Sequence, residues 1–205
     1  MNKDRRLLPF SAGFGSLGDV LVDGALLART LRDPAKRVQA LAATAVSAAA
    51  AGNLPDARRL AHEAADGTRR LEDAGDFSFL GGAPGTDVSN AKGAAAQALA
   101  YTGERDRALS LAEETDDTDS DRRRRALVAV AAGLRLHDPA TATSIIDQQF
   151  QRLLAADASP RGLRGHNTEL AELLAALGNG DPQCTDRLRE AVGQVWATLA
   201  RVLSG

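Results

Sequence analysis

The stretch GFGSLG, Gly13 to Gly18, has the spacing of a dinucleotide-binding turn, and Asp33 stands downstream where such a motif carries its acid. In such a turn, glycines let the backbone approach a pyrophosphate, and the acid bonds a ribose hydroxyl. That chemistry requires a strand before the turn and a βαβ unit around it. Only Leu7-Leu8-Pro9-Phe10 precedes it and helical patterns follow, so the stretch reads as a flexible lead-in to a first helix. The three histidines, His62, His137 and His166, are scattered, and no H-E-x-x-H occurs. They therefore lack the spacing of metal ligands. His62 falls mid-helix beside Glu63, and His137 falls at a turn, where its ring can help finish a helix C-terminus. Cys184 is the only cysteine, so no intrachain disulfide forms. It opens a helix, and its thiol reads as a packing or surface group. No nucleophile elbow G-x-S-x-G and no phosphate loop G-x-x-x-x-G-K-[ST] is present. No set of acids and bases converges, so no catalytic residue, cofactor or metal is assigned and the expectation is a non-enzymatic protein.

One charged run stands out. DDTDSDRRRR, Asp116 to Arg125, places acids and a serine at the start of a helix, where they can cap it and suit its dipole. Four arginines in a first turn do not suit it. Either they pair with the aspartates on a solvated helix start, or they reach a phosphate or an acidic peptide.

Composition limits what such residues can serve. The 205 residues suffice for one domain with a sizeable core. The net charge of −2 gives no general field for nucleic acid. No apolar run approaches the roughly 18 residues of a membrane span. The N-terminus carries no signal-peptide h-region, so the expected location is the cytoplasm. Arginine supplies nearly all the basic residues, and with abundant Ala and Gly this is the composition expected of a GC-rich bacterial genome. Aromatic residues make up only 3%, so the core must be built from Ala, Leu and Val. Small side chains pack well where backbones come close, which favours paired helices over sheets.

Helix starts are marked by Asp33-Pro34, Asp138-Pro139 and Asp181-Pro182, an N-cap acid followed by a proline that has no N–H to lose. The pattern predicts helices over 16–31, 34–51, 55–73, 89–102, 105–114, 121–136, 139–156, 168–178 and 183–203. The last is amphipathic, with Leu188, Val192, Val195, Trp196, Leu199 and Leu203 on one face. Residues 1–15 read as a flexible arm, and 16–205 as a single domain. Ala74 to Ser89 reads as a loop holding Phe77 and Phe79, which either pin it to the core or contact a partner. Ala158 to Asn167 reads as a second loop.

The helices repeat. Gly52 is followed by Ala57, Leu60, Ala61 and Ala64; Gly103 by Ala108, Leu111 and Ala112; His137 by Ala142, Ile145 and Ile146. The step from Gly103 to His137 falls at the roughly 34-residue period of paired-helix repeats. Gly180 marks a poorer fourth copy. Each unit is a helix, a short turn and a second helix, which buries its apolar face only by stacking on its neighbours.

This pattern resembles the tetratricopeptide repeat family. Ala45, Gly52, Ala57 and Ala64 match its small-residue positions, as do Ala96, Gly103 and Ala108. Leu41 and Ala126 stand where that family has large aromatics, and a HEAT-like helical repeat writes a similar pattern. The resemblance implies an all-α helical-hairpin repeat solenoid, with about four helix pairs after an N-terminal helix. It also implies a concave groove lined by first helices. The groove positions carried over include Gln39, Asn90, Gln97, Tyr101, Arg124 and Arg135, which are the expected partner-binding residues. Ala42 and Val46 stand where the family's terminal-carboxylate binders carry Lys and Asn, so that ligand is not expected. The expected role is a scaffold holding a protein or peptide segment. The alternative is a regulatory or sensor module of a bacterial signalling or defence system, acting with an NTPase on another chain.

Overall fold

The computed structural model describes residues 17–73, 84–115 and 120–156. They form seven helices: α1 (Leu17–Thr30), α2 (Pro34–Ala50), α3 (Leu54–Asp73), α4 (Pro84–Tyr101), α5 (Arg105–Glu113), α6 (Ser120–Leu134) and α7 (Pro139–Ala156). Among the described residues there is no strand. No helix there is long and apolar enough to cross a membrane. The helices expected at 168–178 and 183–203, the fourth copy and the arm 1–15 lie outside the described residues, as do Phe77, Phe79, His166 and Cys184.

The helix ends follow from local chemistry. Asp33 caps α2, its carboxylate accepting from the amides of Ala35 at 2.9 Å and Lys36 at 3.2 Å. Gly52 ends that helix at φ 80°. Its amide donates to Ala49 O and the Asn53 amide donates to Ala48 O, each at 2.9 Å. That doubly bonded turn needs a left-handed residue, which costs glycine nothing. Gly103, at φ 84°, builds the same turn between α4 and α5, with Glu104 N donating to Leu99 O at 3.0 Å. The third turn lacks a glycine, and no described non-glycine residue takes positive φ. It closes through His137 N and Asp138 N, both donating to Leu134 O. Asp138 then caps α7, accepting from the Thr141 amide at 3.1 Å.

One boundary differs from the sequence expectation. Helix α4 begins at Pro84, not at 89, so residues 84–88 are helix where the Gly and Pro content reads as loop. Proline suits the first helical position, and Asp87 places negative charge in the first turn.

Consecutive helices pack as α2 with α3, α4 with α5 and α6 with α7. Helix α4 also packs on α2, α3 and α6, and α1 packs on α2. Burial keeps one register. Ala45, Ala96 and Val130 are buried at the same distance before Gly52, Gly103 and His137. Ala57, Ala108 and Ala142 are buried after them, as are Leu60, Leu111 and Ile145. Next in that series come Ala64, Thr115 and Gln149, also buried although the last two are polar. Leu60, Leu99 and Leu134 are fully buried, each worth about 1.5–3 kcal/mol of apolar transfer. Alanine and glycine let the axes approach. At Gly133 of α6, a Cβ would stand 2.8 Å from Ala100 Cβ and from the backbone nitrogen of Tyr101.

Lys92 of α4 stands as far before Gly103 as Leu41 of α2 stands before Gly52 and Ala126 of α6 before His137, and like them it is buried. Its ammonium is satisfied. It pairs with Glu72 of α3 and donates to Glu114 O, beyond the end of α5, at 3.0 Å.

Candidate functional site: the face of the first helices

Helices α1, α3 and α5 and the Asp138 cap of α7 carry charges that bond to one another. Arg29 of α1 holds Glu63 of α3 through two bonds, 2.8 and 2.5 Å. His62 of α3 contacts Glu104, which stands just before α5 and also accepts from Arg107 at 2.9 Å. Arg105 of α5 donates to Asp138, the cap of α7, at 3.2 Å. These contacts run from each second helix to the next. The Glu63 carboxyl lies below its usual range, chiefly because it accepts from Arg29, and Arg29 is raised in turn. Asp138 is lowered, first by the Thr141 hydroxyl and amide and then by Arg105. All these pairs are substantially exposed, so water and salt screen them and each adds little to stability.

The first helices, α2, α4 and α6, are different. α4 packs between α2 and α6. Residues 38–51 of the α2 region carry no charge, nor do residues 126–134 of α6. Over 88–101 of α4 the only ion is the buried Lys92. What these helices expose instead is small or uncharged: Ala43, Ser47 and Ala50 on α2, Asn90 on α4, with Ala94, Gln97, Tyr101, Ala129 and Ala132 half-buried.

The sequence-predicted residues all lie on or just beyond these first helices. Asn90, Gln97 and Tyr101 follow i, i+7 and i+11, so α4 presents them on one face. Gln39 is half-buried on α2 at the register position of Asn90. Among the described residues, no hydrogen bond uses the side chains of Gln39, Asn90, Gln97 or Tyr101. Tyr101 lies against α6, its ring edge 2.8 Å from where a Gly133 Cβ would be. Arg135, just past α6, is half-buried.

Arg124 is different: it is only 8% exposed, with Arg122 and Arg123 half-buried and Arg125 exposed. The expectation of a solvated arginine run therefore fails for Arg124, because α6 turns that position toward its packed side. Asp116 to Asp119, the acidic half of the run, lie outside the described residues.

His137 bonds a different helix from the one it follows. Its ring lies over Gly103, and Nε2–H donates to Tyr101 O at the end of α4, 2.9 Å away. The side chain thus finishes α4, while its own turn is closed by backbone bonds. Nearby, Gly103, Arg105, Leu134, His137 and Asp138 line an open depression in which Arg105 and Asp138 are already paired. Among the described residues, no group of three or more His, Cys, Asp or Glu converges for a metal ion.

Individual alanines of this face were missed by reasoning from motif positions. The signal that marks them is the charge distribution, with long uncharged stretches in alternate helices. Comparison of the chain with models of known protein families, with curated proteins and with solved structures finds no match.

Proposed function

We propose that the chain is a helical-hairpin repeat protein, similar to tetratricopeptide repeats, whose first helices hold a protein or peptide segment without catalysis. The observation that carries this is the contrast between the two sets of helices. Several charges on α1, α3 and α5 pair with one another or with the Asp138 cap of α7, from Arg29–Glu63 to Arg105–Asp138. The carboxamides of Gln39, Asn90 and Gln97 and the phenol of Tyr101 have no such partner among the described residues. Unbonded polar groups set among small side chains suit a surface that a ligand completes. The common burial register and the packing of α4 between α2 and α6 support the stacked-repeat reading.

A photo-crosslinking residue at Gln97 tests the face, with Arg59 on the outer side of α3 as the control. Irradiation in extract of the source cell should give a discrete adduct from position 97 and none from 59. Equal adducts from both positions, or none from 97, would refute the assignment.

A further inference from the structure

Helix α1 buries its small residues and exposes its large ones. Ala25 and Ala28 are each 3% exposed, whereas Leu26 is 54%, Leu27 68% and Leu31 38% exposed. Among the described residues the other exposed large apolar side chain is Leu136, after α6. Leucines scattered singly on a surface need no explanation, but three so close together form a patch that a partner can cover. We infer that this patch joins two copies of the chain, which pair through α1, antiparallel, about a two-fold axis beside Leu27. The inference is independent of the face of the first helices.

The packing explains why the patch is open. Arg29 ties α1 to Glu63 of α3, so α1 stands in line with the second helices. Helices α3, α5 and α7 pack on α2, α4 and α6, the first helices of their own pairs. Among the described residues α1 has no first helix of its own and packs on α2, which is already paired with α3. The contact is made on the side of Gly24, where a Cβ would stand 3.6 Å from the Thr44 side chain. Leu27 and Leu31 follow Gly24 at i+3 and i+7, so the three lie on one line along the edge of that contact. Leu31 stands just past the end of α1 and is fixed there. Its amide donates to Ala28 O at 3.2 Å, and its carbonyl accepts from Arg37 at 3.0 and 2.7 Å. Leu26 points away from this line.

Charge selects the occupant. From residue 17 to residue 36 the ions are Asp19, Asp23, Arg29, Arg32, Asp33 and Lys36. Arg29 is held by Glu63, while Asp33 caps α2 and pairs with Lys36 at 3.7 Å. Asp23 and Arg32 are exposed, and neither has a hydrogen bond or ion pair among the described residues. Acid therefore precedes the leucines and base follows them. A helix that covers the stripe must carry apolar residues with the charges in the opposite order, and a second α1 running antiparallel does so. In that register Asp23 of each copy meets Arg32 of the other, so the ion pair forms twice. Leu31 then faces the recess at Gly24 of the other copy, and the two Leu27 side chains flank the axis. A parallel pair would set Asp23 against Asp23. Such an interface is isologous, the same patch on both copies. A single pair of helices about 21 Å long is smaller than a standard interface of about 1,600 Å², so the expected dimer is weak, with a Kd of about 10–100 µM.

Sedimentation velocity on the full chain, from about 1 to 500 µM, tests the pairing, because a weak dimer grows in with concentration. Leu27→Ser should weaken the dimer at least tenfold. Asp23→Arg and Arg32→Asp should each do the same, and the two together in one chain should restore it to within about threefold, because the swapped charges meet again across the axis. Raising NaCl from about 0.05 to 0.5 M should weaken the wild-type dimer several-fold. All three side chains are exposed, so circular dichroism should be unchanged in every variant, and recovery in the double variant shows that the single reversals did not act by unfolding. A chain that stays monomeric over the whole range, as it would if its own N-terminal residues or a different protein covered the stripe, would overturn the inference. So would a dimer indifferent to Leu27→Ser, or one lost on either charge reversal and not recovered by the two together.

Discussion

Two glycines at the α4–α6 contact should respond to the same substitution with opposite signs. Gly93 of α4 and Gly133 of α6 are both helical. Alanine at either site gains intrinsic helix propensity, up to about 1 kcal/mol. What differs is the space. A Cβ on Gly93 would sit 3.5 Å from Ala126 Cβ, an ordinary van der Waals contact. A Cβ on Gly133 would sit 2.8 Å from Ala100 Cβ, from Tyr101 Cδ2 and from the Tyr101 nitrogen. The ring can turn aside, but the backbone nitrogen and the Ala100 methyl move only if the helices separate. Overpacking of this kind costs about 1–3 kcal/mol. Three contacts at 2.8 Å, one of them to backbone, put the Gly133 cost at about 2–3 kcal/mol, so against a gain of about 1 kcal/mol Gly133→Ala should lose about 1–2 kcal/mol, while Gly93→Ala should gain about 0.5–1 kcal/mol. For a chain of this size each kcal/mol moves the melting temperature by about 2–4 °C. Urea unfolding followed by circular dichroism in the helical band reads both changes. A Gly133→Ala protein as stable as wild type would refute the close approach of α4 and α6. A Gly93→Ala protein clearly less stable than wild type would refute the reasoning about space.

Gly52→Ala and Gly103→Ala should each lose about 1–2 kcal/mol in the same assay, because both residues sit at positive φ, where a Cβ meets its own carbonyl. Arg124→Ala should destabilise by about 1–3 kcal/mol, since it truncates a long side chain that is only 8% exposed and loses its packing. Asn90→Ala and Gln97→Ala should stay within about 0.5 kcal/mol of wild type by thermal melting, because no bond is lost. Acid should destabilise the fold through Glu63 and Asp138, whose carboxyls lie below their usual 4.5 and 3.8. Their folded values are the lower ones, so their contribution is complete above about pH 5 and is lost as pH falls through those values. Glu63→Gln should therefore flatten the fall in melting temperature between about pH 5 and 3, and an unchanged slope would count against the Arg29–Glu63 bond.

The sequence by itself determined the seven described helices and, except at the start of α4, their ends, because those rest on groups close together in the chain. Asp33 and Asp138 cap the helices they precede, with bonds that reach only two or three positions. Gly52 and Gly103 take the left-handed turns that end α2 and α4. The recurrence of alanine at 57, 108 and 142 and of Leu or Ile at 60, 111 and 145 already marked positions that are buried.

What only the tertiary structure decided was the fate of side chains whose neighbours lie in another copy. A lysine at position 92 reads as a solvent group, yet it is buried because Glu72 of the preceding helix and Glu114 past the following one converge on its ammonium. Arg124 was expected on the open face, and its exposure was set by the packing of α6. His137 was placed correctly at a turn, but the carbonyl it bonds belongs to Tyr101, 36 residues earlier. Even the start of α4 at Pro84 ran against the local Gly and Pro content, although proline suits a first helical position and Asp87 suits the first turn. Periodicity shows which side of a helix is apolar, but not which other helix covers a given polar atom, because that depends on residues tens of positions away brought within hydrogen-bond distance.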